Sequence, residues 1–267
     1  MKYSIITINF NNRVGLKKTI ESVVNQTFQD FEYIIIDGGS TDGSVDIIKE
    51  YSSRISYWVS EPDKGIYNAM NKGIAQAHGD YINFMNSGDY YYNNRVLSDV
   101  VSIHTDADFF VGRVYNVNSD GAILSSSIVS DNLSMKWFYI NTIPHQSTFI
   151  KRELFNRSKY DENLKVVSDW KFFMERIVFE GCSVFKDDSF FVACCEERGA
   201  SNDRELLNEE KTKVLRDALP IGIRRDYEVI APIGGELLGL FGSLNRNKII
   251  SRIFLNVLRL LKLLKII

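Results

Sequence analysis

Apolar and polar positions change period again and again along the first ninety residues. Tyr3–Ile8 is an almost unbroken apolar run and predicts a buried strand. Leu16, Ile20, Val23 and Val24 then recur at helical spacing, which predicts a helix over Arg13–Asn25. The alternation continues through three more strands and two more helices. Strands are expected at Glu32–Ile36, Ile55–Val59 and Tyr81–Met85. Helices are expected at Ser44–Tyr51 and around Ile66, Met70, Ile74 and Ala77. Strands alternating with helices imply right-handed crossovers and a mostly parallel sheet covered on both faces. After Tyr90 the pattern loosens. Phe109–Val117 and Ala122–Val129 predict a hairpin around Asn118-Ser-Asp-Gly121. A short strand at Ser147–Ile150, a helix over Ser168–Glu180 and a strand over Ser183–Ala193 complete the reading.

The end of the chain has a different pattern. From Asn247 to Ile267 nearly every residue is aliphatic or cationic, and none is acidic. The polar positions fall on one helical face. Cations every three or four residues exclude a transmembrane span, so a basic amphipathic helix on a membrane surface is expected. A helix packed on the core or in a homodimer interface is the competing reading.

Bulk composition narrows the class without choosing within it. A chain of 267 residues with 45% hydrophobic and 25% charged content is an ordinary globular protein. A formal charge of −2 and the lack of a basic stripe in the first 200 residues argue against nucleic acid as a partner. The three cysteines, Cys182, Cys194 and Cys195, lack metal-ligand spacing and fit a reducing compartment. A strand beginning almost at Met1 leaves no room for a signal peptide. Together with the basic tail, this gives an expected location in the cytoplasm, peripheral on the inner face of the plasma membrane.

The chemistry concentrates at strand ends. In Tyr33-Ile-Ile-Ile-Asp-Gly-Gly-Ser-Thr-Asp42 a buried strand delivers Asp37 to its carboxyl end, where open α/β sheets bind ligands. Gly38 and Gly39 let a ligand approach the backbone, whereas Asp42 reads as a helix N-cap. In Glu61-Pro-Asp-Lys-Gly65, Asp63 can hold a ribose or base and Lys64 can neutralise a phosphate. Asn86-Ser-Gly-Asp89 follows the fourth strand, so Asp89 shares an edge with Asp37. One such carboxylate suffices for Mg²⁺ or Mn²⁺ on a diphosphate, because phosphate oxygens and waters complete the octahedron. The literal Asp106-Ala-Asp108 precedes its strand and belongs to the opposite edge. Asp169 opens a helix, where the dipole stabilises a carboxylate. His145 sits beside Pro144. His78 and His104 read as helix-surface residues, and Cys194 and Cys195 as strand residues facing opposite sides.

Six motifs in register resemble the family 2 glycosyltransferases of GT-A fold from Ser4 to about Asn202. They are Ile5-Ile-Thr-Ile-Asn-Phe-Asn11, Ser22-Val-Val-Asn-Gln-Thr-Phe28, Ile36-Asp-Gly-Gly-Ser-Thr-Asp42, Glu61-Pro-Asp-Lys-Gly-Ile-Tyr-Asn-Ala-Met-Asn-Lys-Gly73, Gly79-Asp-Tyr-Ile-Asn-Phe-Met-Asn-Ser-Gly-Asp89 and Ser168-Asp-Trp170. The resemblance implies an α/β GT-A catalytic domain over 1–200, with a nucleotide-sugar half (1–90) and an acceptor half (91–200). A C-terminal helical extension would occupy 201–267. It implies that Thr7, Asn9 and Asp37 hold the nucleoside, and that Asp63, Lys64, Asn71, Asn86, Ser87 and His145 complete the donor site. Asp89 would bind the metal, with Asn86 standing where many relatives carry another Asp. Asp169 would be the general base of an inverting transfer from a nucleotide sugar, UDP by family frequency, to a glycan or lipid-linked saccharide acceptor in cell-envelope polysaccharide synthesis. A sugar-phosphate nucleotidyltransferase and a non-catalytic carbohydrate-binding scaffold on the same fold are the alternatives. The first would need a Gly-rich loop after the first strand, and Ile8-Asn-Phe-Asn-Asn12 has no glycine.

Overall fold

The computed structural model describes residues 3–103, 105–196 and 203–228. His104 and the tail over 247–267 lie outside them, so their expected placements are not addressed. The chain divides into two compact units, Met1–Val214 and Leu215–Ile267.

Nine strands form one sheet in the first unit. They are β1 (Tyr3–Asn9), β2 (Phe31–Asp37), β3 (Tyr57–Ser60), β4 (Tyr81–Phe84), β5 (Tyr90–Tyr91), β6 (Phe109–Val117), β7 (Ile123–Ser126), β8 (Thr148–Lys151) and β9 (Val184–Glu196). Their order is β3-β2-β1-β4-β8-β6-β9-β5, with β7 paired to β6. The first four strands are mutually parallel. Beyond β4 the sheet is mixed: β8 runs antiparallel to both β4 and β6, while β6 and β9 are parallel. Helices α1 (Arg13–Val24), α2 (Ser44–Glu50), α3 (Ile66–Gln76), α4 (Val96–Ser102), α5 (Met135–Ile140), α6 (Ser168–Met174) and α7 (Arg204–Ala218) connect and flank the strands.

The apolar periodicity accounts for this packing. Ile34, Ile35 and Ile36 of β2 are fully buried, because a parallel strand is covered on both faces. Full burial of each such side chain is worth about 1.5–3 kcal/mol. Leu16, Ile20 and Val23 of α1 pack into the same core as Ile5 and Ile35. Asn12 caps α1 by accepting from Gly15 N at 3.1 Å. The N-cap of α2 is Gly43 and not Asp42, which stands one residue earlier. Asp42 accepts Arg13 N at 2.7 Å and Ser44 N at 3.0 Å, so one carboxylate serves the starts of α1 and α2.

Three boundaries differ from the sequence pattern for local reasons. Ile55 closes a 3₁₀ turn, its N–H donating to Ser52 O at 3.3 Å, and so stays out of β3. The helix expected over Ser168–Glu180 is α6 as far as Met174 and a π turn over Glu175–Phe179. His78 is not on a helix: α3 ends at Gln76, and His78 follows in a loop with its Nδ1 3.2 Å from Glu32 Oε2. Glu32 is itself buried at the amino end of β2 and accepts from Ser4 Oγ, His78 N and Gly79 N.

The order β3-β2-β1-β4 places site residues where two connection directions meet. Chain connections leave β1 toward β2 on one side, and β4 lies on the other. A crevice therefore opens at the carboxyl ends of β1 and β4, where open α/β sheets bind ligands. In the second unit, residues 221–228 are helical, and Arg224 pairs with Glu228 at 3.4 Å. No helix among the described residues is long and apolar enough to cross a membrane.

Candidate active site

A cavity of about 1340 Å³ occupies that crevice. Asn9 and Phe10 line it from the end of β1, and Asn86, Ser87 and Asp89 from the turn after β4. Asp63 contributes from the loop before α3, His145 from the turn before β8, and Asp169 from the start of α6. Seven of the expected residues are thus brought together: Asn9, Asp63, Asn86, Ser87, Asp89, His145 and Asp169.

Four others are not on the wall. Thr7 is fully buried, its hydroxyl donating to Met85 O at 2.7 Å and meeting Tyr33 Oη at 2.9 Å. Asn71 is used inside the protein. Its Nδ2 donates to Tyr160 O and Glu162 Oε1, each at 2.9 Å, and its Oδ1 accepts Tyr160 N at 3.1 Å. Lys64 is exposed and does not line the cavity, although its neighbours Asp63 and Gly65 do. Asp37 stands at the strand end as expected but is 0% exposed. It accepts from Asn9 Nδ2 at 2.7 Å, Ser40 N at 2.9 Å, and the Ser40 and Ser60 hydroxyls, each at 2.6 Å. Burial alone would push its pKa up, yet these donors hold it below the usual carboxylate range. Asp37 therefore builds the loop, and Asn9 and Asp63 present the surface. A Cβ on Gly38 would lie 2.4 Å from Asp63 Oδ2, so any larger residue there would displace the Asp63 carboxylate.

The opposite wall carries a hydrogen-bonded chain. Tyr67 donates its hydroxyl to Asp169 Oδ1 at 2.8 Å. Asp169 Oδ2 lies 3.1 Å from His145 Nδ1, and His145 Nε2 lies 3.1 Å from Asn86 Nδ2. An amide donating at Nε2 leaves the ring proton on Nδ1, directed at Asp169. For Asp169, burial raises the pKa, but the hydrogen bond and charge of His145 and the donors Tyr67 and Trp170 N more than offset it. The net shift is downward. For His145, burial lowers the pKa, and the Asp169 hydrogen bond and charge reverse that into a net rise. The two shifts agree in describing an Asp169 carboxylate that is held by His145 and ionised at neutral pH.

Gln146 is a residue the sequence reading passed over. Its Nε2 donates to Asp89 Oδ2 at 3.0 Å, so adjacent residues 145 and 146 hold Asp169 and Asp89. Burial pushes the Asp89 carboxyl up to about 6, against the His145 charge and the hydrogen bonds from Gln146 and Cys195. Phe10 was also passed over. Its ring is 65% exposed at the cavity, between the strand end and Asn11, a non-glycine residue with φ of 48°. An aromatic among asparagines directly after a strand was the available signal.

The residues present fit a divalent cation only in the company of a ligand. The described residues include no group of three His, Cys, Asp or Glu able to hold a metal. Asn86 Oδ1, however, is a buried oxygen with no protein partner, three residues from the Asp89 carboxylate. Two oxygens are a partial set for a hard cation, which a diphosphate would complete. Asp108 is away from the cavity and accepts from Ser183 N at 2.8 Å and Ser183 Oγ at 2.9 Å.

Comparison with known proteins identifies the family and the fold. Residues 4–176 match the family model described as glycosyl transferase family 2. A PGL/p-HBAD biosynthesis glycosyltransferase of Mycobacterium bovis is 30% identical over 229 residues, covering 83% of this chain and 87% of that protein. An uncharacterized glycosyltransferase of Mycobacterium tuberculosis is 32% identical over 176 residues, covering 64% and 67%. Among solved structures, S. aureus TarS 1-349 in complex with UDP-GlcNAc superposes with a TM-score of 0.64 at 19% identity, over 81% of this chain and 65% of that one. In the longer TarS structure the match spans 42% of the chain. A mannosyltransferase of Pyrobaculum calidifontis in complex with GDP-Man and Mn²⁺ gives 0.60 at 15% identity, over 81% of this chain and 64% of that one. The fold is GT-A, and the chain belongs to glycosyl transferase family 2, a family of transferases.

Proposed function

We propose that the chain is an inverting glycosyltransferase that moves a sugar from a UDP-sugar to a hydroxyl of a glycan or lipid-linked saccharide in cell-envelope polysaccharide synthesis. The observation that carries this reading is Asp169. It is ionised, oriented by Tyr67 and His145, and faces the same cavity as Asp89 and the nucleoside loops. Nucleotide-sugar complexes of TarS and of the Pyrobaculum mannosyltransferase support the donor class.

In this mechanism Phe10 offers a face for the base to stack on, and Asn9 and Asp63 bind the nucleoside at its edge. Asp169 takes the proton from the acceptor hydroxyl. The freed oxygen attacks the anomeric carbon as the bond from that carbon to the diphosphate breaks, which inverts the centre in one displacement. His145 holds the Asp169 carboxylate in orientation and stabilises its charge. Asp89 and Asn86 Oδ1 would hold Mg²⁺ or Mn²⁺, which when bound neutralises charge on the departing diphosphate.

A thermal-shift panel of UDP, GDP and dTDP, with and without Mn²⁺, tests the donor assignment. A ligand at 100 times its Kd adds about 2.7 kcal/mol to the folded state. No shift with any of the three refutes the nucleotide-sugar reading. Equal shifts and equal turnover in EDTA remove the metal.

The extension over 201–267 is proposed to bring a basic helix, residues 247–267, to an anionic membrane surface. Deleting 247–267 should abolish sedimentation with anionic vesicles. The intact chain should lose binding steeply with salt, each cation contributing about 1 kcal/mol. Binding that survives the deletion would make the tail a packing or dimer element.

A further inference from the structure

The motif Ser22-Val-Val-Asn-Gln-Thr-Phe28 runs off the end of α1, outside the cavity, and the mechanism leaves it without a task. Its hydrogen bonds belong to a ladder that α1 makes with the chain following β4. Asn12 Nδ2 donates to Ser87 O at 3.1 Å. Thr19 Oγ1 donates to Asp89 O at 2.7 Å and accepts Gly88 N at 3.0 Å. Ser22 Oγ accepts Tyr91 N at 3.2 Å. Gln26 donates to Asn93 O at 2.8 Å and accepts Leu97 N at 3.0 Å. The partners advance along the segment in the same order as these side chains advance along the helix. Each of these bonds ends on a main-chain atom, so together they fix the path of the segment whatever side chains it carries. The rung at Thr19 lies at the site. Thr19 is fully buried and does not line the cavity. Its hydroxyl sits inside the Asn86–Asp89 turn, with Asn86 O a further 3.3 Å away, and Gly88 turns there with a φ of 106°, which glycine accepts without strain. One hydroxyl thus fixes the peptide that enters Gly88 and the peptide that leaves Asp89. The same helix begins directly after Asn9, Phe10 and Asn12, which line the cavity at the end of β1.

We infer that Thr19 is a positioning residue for the donor: through α1 it holds the Asn86–Asp89 turn at the distance from the nucleoside loop that a nucleoside diphosphate spans. The inference rests on the reading that this turn meets the donor's diphosphate. Thr19 acts through the main chain of the turn and touches no ligand. Without its hydroxyl, Gly88 N and Asp89 O lose their partner, and the turn must shift to replace it. The base is held from other elements, by Tyr67 of α3 and by His145. Loss of the Thr19 hydroxyl therefore acts on the diphosphate end of the donor and spares the nucleoside end.

The test is calorimetric titration of the intact chain with UDP, and by displacement with uridine, at fixed Mg²⁺. In the unaltered chain UDP should bind more tightly than uridine. Thr19→Val keeps the branched shape of the side chain and removes its hydroxyl. It should cut the advantage of UDP over uridine by about tenfold or more and leave uridine affinity unchanged. Thr19→Ser should restore the advantage. Val23→Ala thins the core under the same helix without removing a hydrogen-bonding side chain. It should lower the melting temperature and leave the advantage intact, which separates position from stability. Ser22→Ala, one rung further from the turn, should give a smaller fall, and it decides the matter if Thr19→Val does not fold. An unchanged advantage in Thr19→Val, an equal fall in Val23→Ala, or no restoration by Thr19→Ser overturns the proposal. So does a loss of uridine affinity in Thr19→Val, which would make the residue a support of the whole site. Where Thr19→Val does not fold, an unchanged advantage in Ser22→Ala overturns it. If the unaltered chain binds UDP no more tightly than uridine, the reading of the turn as the diphosphate site fails first, and the proposal falls with it.

Discussion

The carboxylates on the two sides of the cavity have opposite fates. Asp37, under the nucleoside loops, has no exposed surface and accepts four hydrogen bonds from Asn9, Ser40 and Ser60. Asp169 and Asp89 stand on the cavity wall with fewer protein donors, and next to them Asn86 Oδ1 has none. A saturated carboxylate is scaffold, because nothing remains for a ligand to displace cheaply. An undersaturated one keeps the capacity to take a proton, a cation or a hydroxyl. Counting donors thus separates the groups that shape the site from those that act in it, even where all are aspartates at element ends.

The comparison breaks most visibly in turnover. Asp169→Asn preserves size and keeps the start of α6 intact while removing basicity. It should lower kcat by about 10²–10⁴-fold with UDP affinity and fold intact, as read by steady-state kinetics beside UDP titration. Near-normal transfer by this variant would move the base elsewhere. Asp37→Ala should instead act on stability. It orphans buried donors, each costing about 1–3 kcal/mol, so a drop of that size is expected in urea unfolding. Nucleoside binding should weaken secondarily, through the loop that Ser40 and Asn9 support. Unchanged stability would contradict the scaffold role.

The smallest and sharpest difference lies in pH. The folded pKa of Asp37 is depressed, so its contribution is fully present above the unfolded value of about 3.9 and is lost as pH falls through the lower folded value. Asp89 has the reverse sign. Its folded value of about 6 lies above the unfolded one, so its contribution is fully present below about 3.9 and is lost as pH rises through about 6. Asp89→Asn should therefore gain stability relative to the unaltered chain between about pH 4 and pH 6, and hold a constant advantage above. Urea unfolding across pH without divalent ions checks it. A flat difference would mean that Asp89 is solvated like an ordinary surface carboxylate.

The strand-end placement of Asp37, Asp89 and Asn9 was legible because a β-branched run followed by a polar turn carries its own geometry. Asp169 was legible as a helix-opening acid. Which way these side chains point was not. Thr7 alternates inward within β1, and Asn71 faces the Tyr160 loop on α3, orientations set by partners 26 to 89 residues away. Asp37 looked like a ligand because Ser60, 23 residues on, cannot be seen closing over it in one dimension. Gln146, Lys165, Arg204 and Lys211 left no local trace, since each is an unremarkable polar residue until the turn before β8, the loop before α6 and α7 bring it to the cavity.

The His145–Gln146 turn bears on coupling as well as on chemistry. Consecutive Cα atoms across a trans peptide lie about 3.8 Å apart, and Asn83 Nδ2 fastens the turn to the middle of the sheet by donating to Gln146 O at 3.1 Å and Thr148 O at 3.0 Å. The anchors of Asp89 and Asp169 thus belong to one fastened turn. One turn therefore couples the two ends of the reaction: whatever moves it reaches the hydrogen-bond partner of the leaving-group carboxylate and that of the proton-accepting one together.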